Sequence, residues 1–136
     1  MRKDKRGWDM RENEIATKIV DAAFHIHTEL GPGLLESVYE RILSYELQKR
    51  GLCVATQVII PVVYDGKTFD NGFVADMIVN DCVIIELKSV EKVVPVHKKQ
   101  VLTYLRLTDL KIGLLINFGE ILIRDGITRL VNGLTP

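Results

Sequence analysis

Asp76-Met77-Ile78-Val79-Asn80-Asp81-Cys82-Val83-Ile84-Ile85-Glu86-Leu87-Lys88 is the stretch that decides the fold of this chain. An apolar run reaches Ile85, and an acid and a base then follow two residues apart. Charges in such a strand are costly unless they are paired or bind a metal. Side chains alternate along a strand, so Ile84, Glu86 and Lys88 share one face while Val83, Ile85 and Leu87 share the other. Upstream, Asp76 shares a face with Val74 and Ile78. Asn80-Asp81 is a turn signal that makes the flanking strands a hairpin. A two-residue loop there sets Asp76 opposite Ile85. A three-residue loop through Cys82, or one bulge, sets it opposite Glu86.

Outward from this hairpin the pattern predicts α, α, β, β, β, α, β, β. A first helix spans 12–30, with Ile15, Ile19, Ala22, Ala23, Ile26 and Leu30 on one stripe. Gly31-Pro32-Gly33 stops it. A second helix over 34–50 turns Leu35, Val38, Tyr39, Ile42 and Leu47 to the core, and Gly51 closes it. Strands follow over 52–64, 68–79 and 82–90. Pro61 implies an edge or a bulge, and Asp65-Gly66 a tight hairpin. A helix over 96–108, a strand over 111–118 and a last strand or hairpin around Asp125-Gly126 complete the chain. The strand after the helical crossover can pair in parallel, and strands apolar on both faces need helices on both sides of the sheet. The expected fold is α/β, a mixed sheet flanked by helices on both faces, in a single domain over residues 1–136. Residues 1–10 read as a flexible arm.

The chain has 136 residues, 47% of them hydrophobic and 26% charged, with zero formal net charge. This composition is that of an ordinary globular protein. Zero net charge argues against coating nucleic acid by bulk electrostatics, although not against an enzyme that contacts a few phosphates. Basic residues cluster only locally, at Arg2–Arg6 and at His97, Lys98 and Lys99. No apolar stretch is long enough to span a bilayer, and the charged start is no signal peptide, so a cytoplasmic location without membrane contact is expected. Cys53 and Cys82 read as reduced, buried thiols.

If the register sets Asp76 beside Glu86, the two carboxylates can ligate Mg²⁺ or Mn²⁺. Lys88 can then orient or deprotonate an attacking water, or stabilise charge on a phosphate. On the following helix Gln100 and Tyr104 lie one turn apart, with His97 on nearly the same side. They can hold the water, the phosphate or a base, although a polar helix face with a half-buried tyrosine is the plainer account. Glu36 falls in the first turn of the second helix, where the helix dipole alone favours a carboxylate; a third acidic group reaching the metal is the sharper account. His25 and His27 diverge on their helix, one expected at the surface and one packed on the second helix.

Asp76 followed by Glu86-x-Lys88 resembles the signature of the PD-(D/E)XK nuclease superfamily. Its αβββαβ restriction-endonuclease-like core matches the order inferred above. Gln100-x-x-x-Tyr104 resembles the QxxxY motif of the RecB-like branch, and Gly33-x-x-Glu36-x-x-Tyr39 the motif of the GxxExxY protein family. The similarity runs from about Ile15 to Arg129 and includes Leu115-Ile116-Asn117-Phe118. It implies that Asp76 and Glu86 are metal ligands and that Lys88 is the catalytic lysine. It also implies that Glu36 and Gln100 are site residues, with Tyr104 beside them. Ala75 stands where a proline is common in the superfamily. The RecB-like branch often carries a metal-binding histidine on its first core helix, and whether His25, His27 or Glu36 has that role stays open.

The leading expectation is a deoxyribonuclease dependent on Mg²⁺ or Mn²⁺ that attacks DNA phosphodiesters with water. The alternative is a non-catalytic module that keeps the nuclease fold to bind nucleic acid or protein. A third reading is a scaffold with a buried ion-pair network, in which removing Lys88 mainly lowers stability. A domain of this size leaves little room to grip DNA, so a homodimer or a partner protein is expected to complete the groove.

Overall fold

Helical periodicity breaks at Gly31-Pro32-Gly33, and the helices on either side are α1 (Met10–Leu30) and α2 (Glu36–Lys49). The computed structural model describes residues 10–132. Of the arm expected over 1–10, Met10 belongs to α1 and the rest lies outside the described residues. Gly31 and Gly33 take φ of +71° and +107°, which side chains disfavour, so the reversal depends on both glycines. β1 (Val54–Tyr64), β2 (Lys67–Val79) and β3 (Val83–Lys88) follow, then α3 (Pro95–Thr108), β4 (Ile112–Asn117), the single turn α4 (Ile123–Gly126) and β5 (Ile127–Val131).

The five strands lie in sequence order, with β3 and β4 parallel and the other pairs antiparallel. This mixed sheet, with helices on both faces, contains the expected αβββαβ core. α1 and α2 cover one face through Ile19, Ala22, Tyr39, Leu43 and Leu47, packed on Met77, Ile85, Leu87, Leu114 and Ile116. α3 covers the other, where Val101 and Leu105 meet Ile84 and Leu115. Every residue of β4 is buried, as layers on both faces require. No helix among the described residues is long and apolar enough to cross a membrane.

The loop between β2 and β3 has three residues. Val79 pairs with Val83, Ile78 with Ile84 and Met77 with Ile85. Asn80 and Asp81 both adopt positive φ, tolerable for these residue types, and the Asn80 side chain accepts the Cys53 N–H at 2.7 Å. Of the two registers open to the sequence, this one extends to Asp76 opposite Glu86. Pro61 lies on the edge strand β1, beside a register shift between Ile60 and Val62.

Several expectations are corrected. Leu35 is 72% exposed and precedes α2, which begins at Glu36; Leu43 takes the core position instead. Leu30 is exposed at the end of α1. Cys53 is exposed and Cys82 half-buried in the turn, so neither is a buried strand thiol. Asp125-Gly126 ends one helical turn and is no hairpin. A Cβ on Gly126 would stand 2.3 Å from the Asn117 carbonyl, so close packing on β4 explains this glycine. His25 is at the surface, as expected of one histidine of the pair, 3.8 Å from Glu29. His27 is buried, but its Nε2 meets the Glu120 carbonyl at 2.8 Å and its ring faces Phe118. His97 turns back to its own helix start, where Nδ1 accepts the Val94 N–H.

Asn117, fully buried at the end of β4, accepts the N–H of Val90 and of Gly119 at 3.0 Å each and donates to the Val90 carbonyl at 2.9 Å. It ties the segment after β3 to the end of β4. Asn117→Ala leaves these backbone groups without their partner and is expected to cost about 2 kcal/mol. Urea denaturation measures this, and an unchanged midpoint would show that water replaces the side chain.

Candidate active site

The strand ladder between β2 and β3 ends at Met77 and Ile85, and side chains take over where the strands part. The Asp76 N–H donates to Glu86 Oε1 at 3.1 Å, and the Leu87 N–H donates to Asp76 Oδ2 at 2.8 Å. Each carboxylate thus receives one backbone N–H from or beside the opposite residue, which fixes both at the fork of the sheet. Both are half-buried. Burial, and then the charge of Asp76, push the Glu86 carboxyl from 4.5 up to about 8, and the nearby positive charge of Lys88 does not outweigh them.

Lys88 is the last residue of β3, half-buried and on the face of Glu86. Among the described residues it makes no ion pair with either carboxylate.

A cleft of about 190 Å³ opens beside the fork, lined by Asp76, Leu87, Glu36, Ser37, Glu40 and Gln57. The first turn of α2 brings exposed Glu36 to it, on the same cleft as Asp76. The structure adds Glu40 and Gln57, joined by a 2.6 Å hydrogen bond from Gln57 Nε2 to Glu40 Oε1. Glu40 lies one helical turn after Glu36. Gln57, on β1, has φ of +50°, an irregularity the strand pattern does not announce. A larger hollow of about 710 Å³ adjoins it, between the α1–α2 loop and Ser89, Val90 and Glu91.

From the α3 side, Tyr104 stacks on Phe73 with ring centroids 3.9 Å apart. Burial, then the charges of Glu86 and Asp76, raise its hydroxyl above the ordinary value and keep it protonated. Gln100 is exposed one turn earlier and makes no hydrogen bond to the acidic pair among the described residues.

No group of three or more His, Cys, Asp or Glu among the described residues is placed to hold a metal ion. Two carboxylates fit Mg²⁺ or Mn²⁺ nonetheless, because such hard cations are held by one or two carboxylates with water and substrate phosphate in the remaining positions. Two carboxylates held together repel one another when ionised, and a cation between them relieves that repulsion.

A profile of the PD-(D/E)XK nuclease superfamily matches residues 13–130. The chain belongs to this superfamily. Members of the PD-(D/E)XK superfamily are generally nucleases that use divalent metals on nucleic acid. No curated protein matches the chain significantly. Among solved structures, the crystal structure of SSO0001 is similar with a TM-score of 0.50 and 20% identity, covering 93% of this chain and 63% of that one. The chain therefore spans less than two thirds of that protein's length, and the likeness is one of fold.

Proposed function

We propose that the chain is a Mg²⁺- or Mn²⁺-dependent deoxyribonuclease of the GxxExxY type, related to the RecB-like QxxxY branch. The observation that carries this reading is the Asp76–Glu86 pair at the sheet fork, with Lys88 beside it and Glu36 across the cleft. Asp76 and Glu86 are the metal ligands. A divalent cation held there supplies positive charge to the scissile phosphate and lowers the pKa of the attacking water.

Lys88 donates hydrogen bonds to that water and to a phosphate oxygen, offsetting the charge that develops there. Glu36 orients water from the α2 side. Tyr104, kept protonated, donates to a phosphate or base, and exposed Gln100 meets the DNA strand one helical turn away. We further propose one cytoplasmic domain over residues 1–136. Ile59, Val63, Tyr64 and Phe69 are exposed on the β1–β2 hairpin, beyond the reach of β3, and support a partner protein or a second copy that completes the groove.

The test is cleavage of labelled single-stranded, duplex and branched DNA, with RNA beside them, in Mg²⁺, in Mn²⁺ and with chelator. Metal-dependent cleavage by the wild type, abolished in Asp76→Asn, is expected. Equal cleavage by both proteins would exclude this site, and metal-independent binding without cleavage would favour the non-catalytic module.

A further inference from the structure

The start of α2 has no side-chain cap, yet its first turn carries Glu36 to the cleft. What holds it is tertiary. Tyr39 is fully buried; its hydroxyl donates to the Gly31 carbonyl at 2.5 Å and accepts the Leu34 N–H at 3.3 Å. The Tyr39 ring stacks on Phe118 at 4.4 Å and 6°. From the other side, Ser89 Oγ donates to the Leu34 carbonyl at 2.5 Å. Leu34 is therefore held at its N–H by one hydroxyl and at its carbonyl by another, two residues before Glu36. Both hydroxyls belong to the scaffold of Lys88, since Ser89 follows it in the chain and the Phe118 N–H donates to the Lys88 carbonyl at 2.8 Å.

We infer that the hydroxyls of Tyr39 and Ser89 are positioning groups that fix the Glu36 carboxylate relative to Lys88. This rests on the nuclease reading of Glu36 and extends it. The glycines at 31 and 33 make the reversal possible, but their conformational freedom leaves the helix start loose unless something clamps it. A buried hydroxyl is a costly means of filling space, because it must be satisfied. Here it is satisfied by the two backbone groups that bracket the loop. The Gly33-x-x-Glu36-x-x-Tyr39 motif then has a physical sense: glycine permits the turn, tyrosine locks it, and glutamate is the group delivered.

Tyr39→Phe keeps the ring and its stack and deletes only the clamp. Mn²⁺-dependent cleavage is measured for Tyr39→Phe, Ser89→Ala, Glu36→Gln and the double variant Tyr39→Phe/Glu36→Gln. Amide hydrogen exchange is followed on the same proteins. Tyr39→Phe is expected to lower kcat by about 10- to 100-fold at unchanged KM, as a small displacement of an aligned group does. Ser89→Ala lowers it in the same way, and the double variant is no slower than Glu36→Gln alone. Exchange at the hydrogen-bonded amides of this helix start, Leu34, Val38 and Tyr39, quickens in both hydroxyl variants while β4 stays protected. Additive losses in log kcat, or normal activity in Tyr39→Phe while Glu36→Gln is impaired, would overturn the inference and leave the nuclease reading intact. If the wild type cleaves nothing, the nuclease reading fails by itself and exchange decides: wild-type rates at Leu34, Val38 and position 39 in Tyr39→Phe, or at position 38 in Ser89→Ala, overturn the clamp.

Discussion

Replacing Lys88 with methionine is expected to slow cleavage by about 10²- to 10⁴-fold, the range for loss of a positioned group acting on a proton or on developing charge. Mn²⁺ affinity is expected to hold or to rise. Lys88 is half-buried on the face of Glu86, and no carboxylate pairs with it among the described residues. Its positive charge opposes the raised pKa of Glu86, and a cation held by Asp76 and Glu86 would feel the same charge as repulsion. Methionine keeps the length of the aliphatic stem and removes the ammonium. Single-turnover cleavage and Mn²⁺ titration calorimetry, run together, separate the possibilities. Lost cleavage with retained binding assigns Lys88 to the chemical step. Unchanged turnover would exclude Lys88 from the chemical step, and a lowered melting temperature beside it would make its role structural.

Glu86→Gln is expected to stabilise the metal-free protein at pH 8, on the order of 2–4 kcal/mol, and to abolish stabilisation by Mg²⁺ or Mn²⁺. Burial and Asp76 raise the carboxyl from 4.5 to about 8 in the folded state. Below pH 4.5 the group is neutral in both states and costs nothing. Between 4.5 and 8 the unfolded chain gives up the proton and the folded chain keeps it, so metal-free stability falls as pH rises. Above 8 the loss is complete. Glutamine is neutral throughout and removes that slope. Its Oε1 can still accept the Asp76 N–H, and its amide can donate to the Asp76 carboxylate. Urea midpoints of both proteins at pH 5 and pH 8.5 in chelator, and again in Mg²⁺, measure the effect. Equal midpoints at pH 8.5 would mean that Glu86 ionises without penalty and that the carboxylate pair is well solvated.

Much of this fold was legible because the periodicity changes are sharp. The glycines at 31 and 33, the Asp65-Gly66 turn and the nearly all-apolar stretch that became β4 each mark a boundary that local chemistry dictates. The misreadings have one kind of cause. Leu35 is as apolar as Leu43, but it stands in extended backbone before α2 and is exposed, whereas Leu43 is inside the helix and buried. Asp125-Gly126 carries a turn signal whatever follows it; proximity to the Asn117 carbonyl makes it the end of a helical turn. Glu40 and Gln57 belong to the cleft through a side-chain contact between α2 and β1 that neither element's own periodicity announces. Asn117 looked like one polar residue in an apolar strand until its three bonds to Val90 and Gly119 appeared.

Side-chain period and turn chemistry, which act over a few residues, dictate the αβββαβ order of the core, the layers on both faces of the sheet and the residue types at the site, although not the helical turn α4. Whether Asp76 meets Glu86 was left to tertiary structure. Asn80-Asp81 accommodates a loop of two residues or of three, and a slip of one exchanges the faces of a strand. The choice is made by packing, since the observed register lets Met77 and Val79 on β2 join Val83 and Ile85 on β3 beneath α1 and α2. That same burial leaves Asp76 and Glu86 together at the point where the strands part.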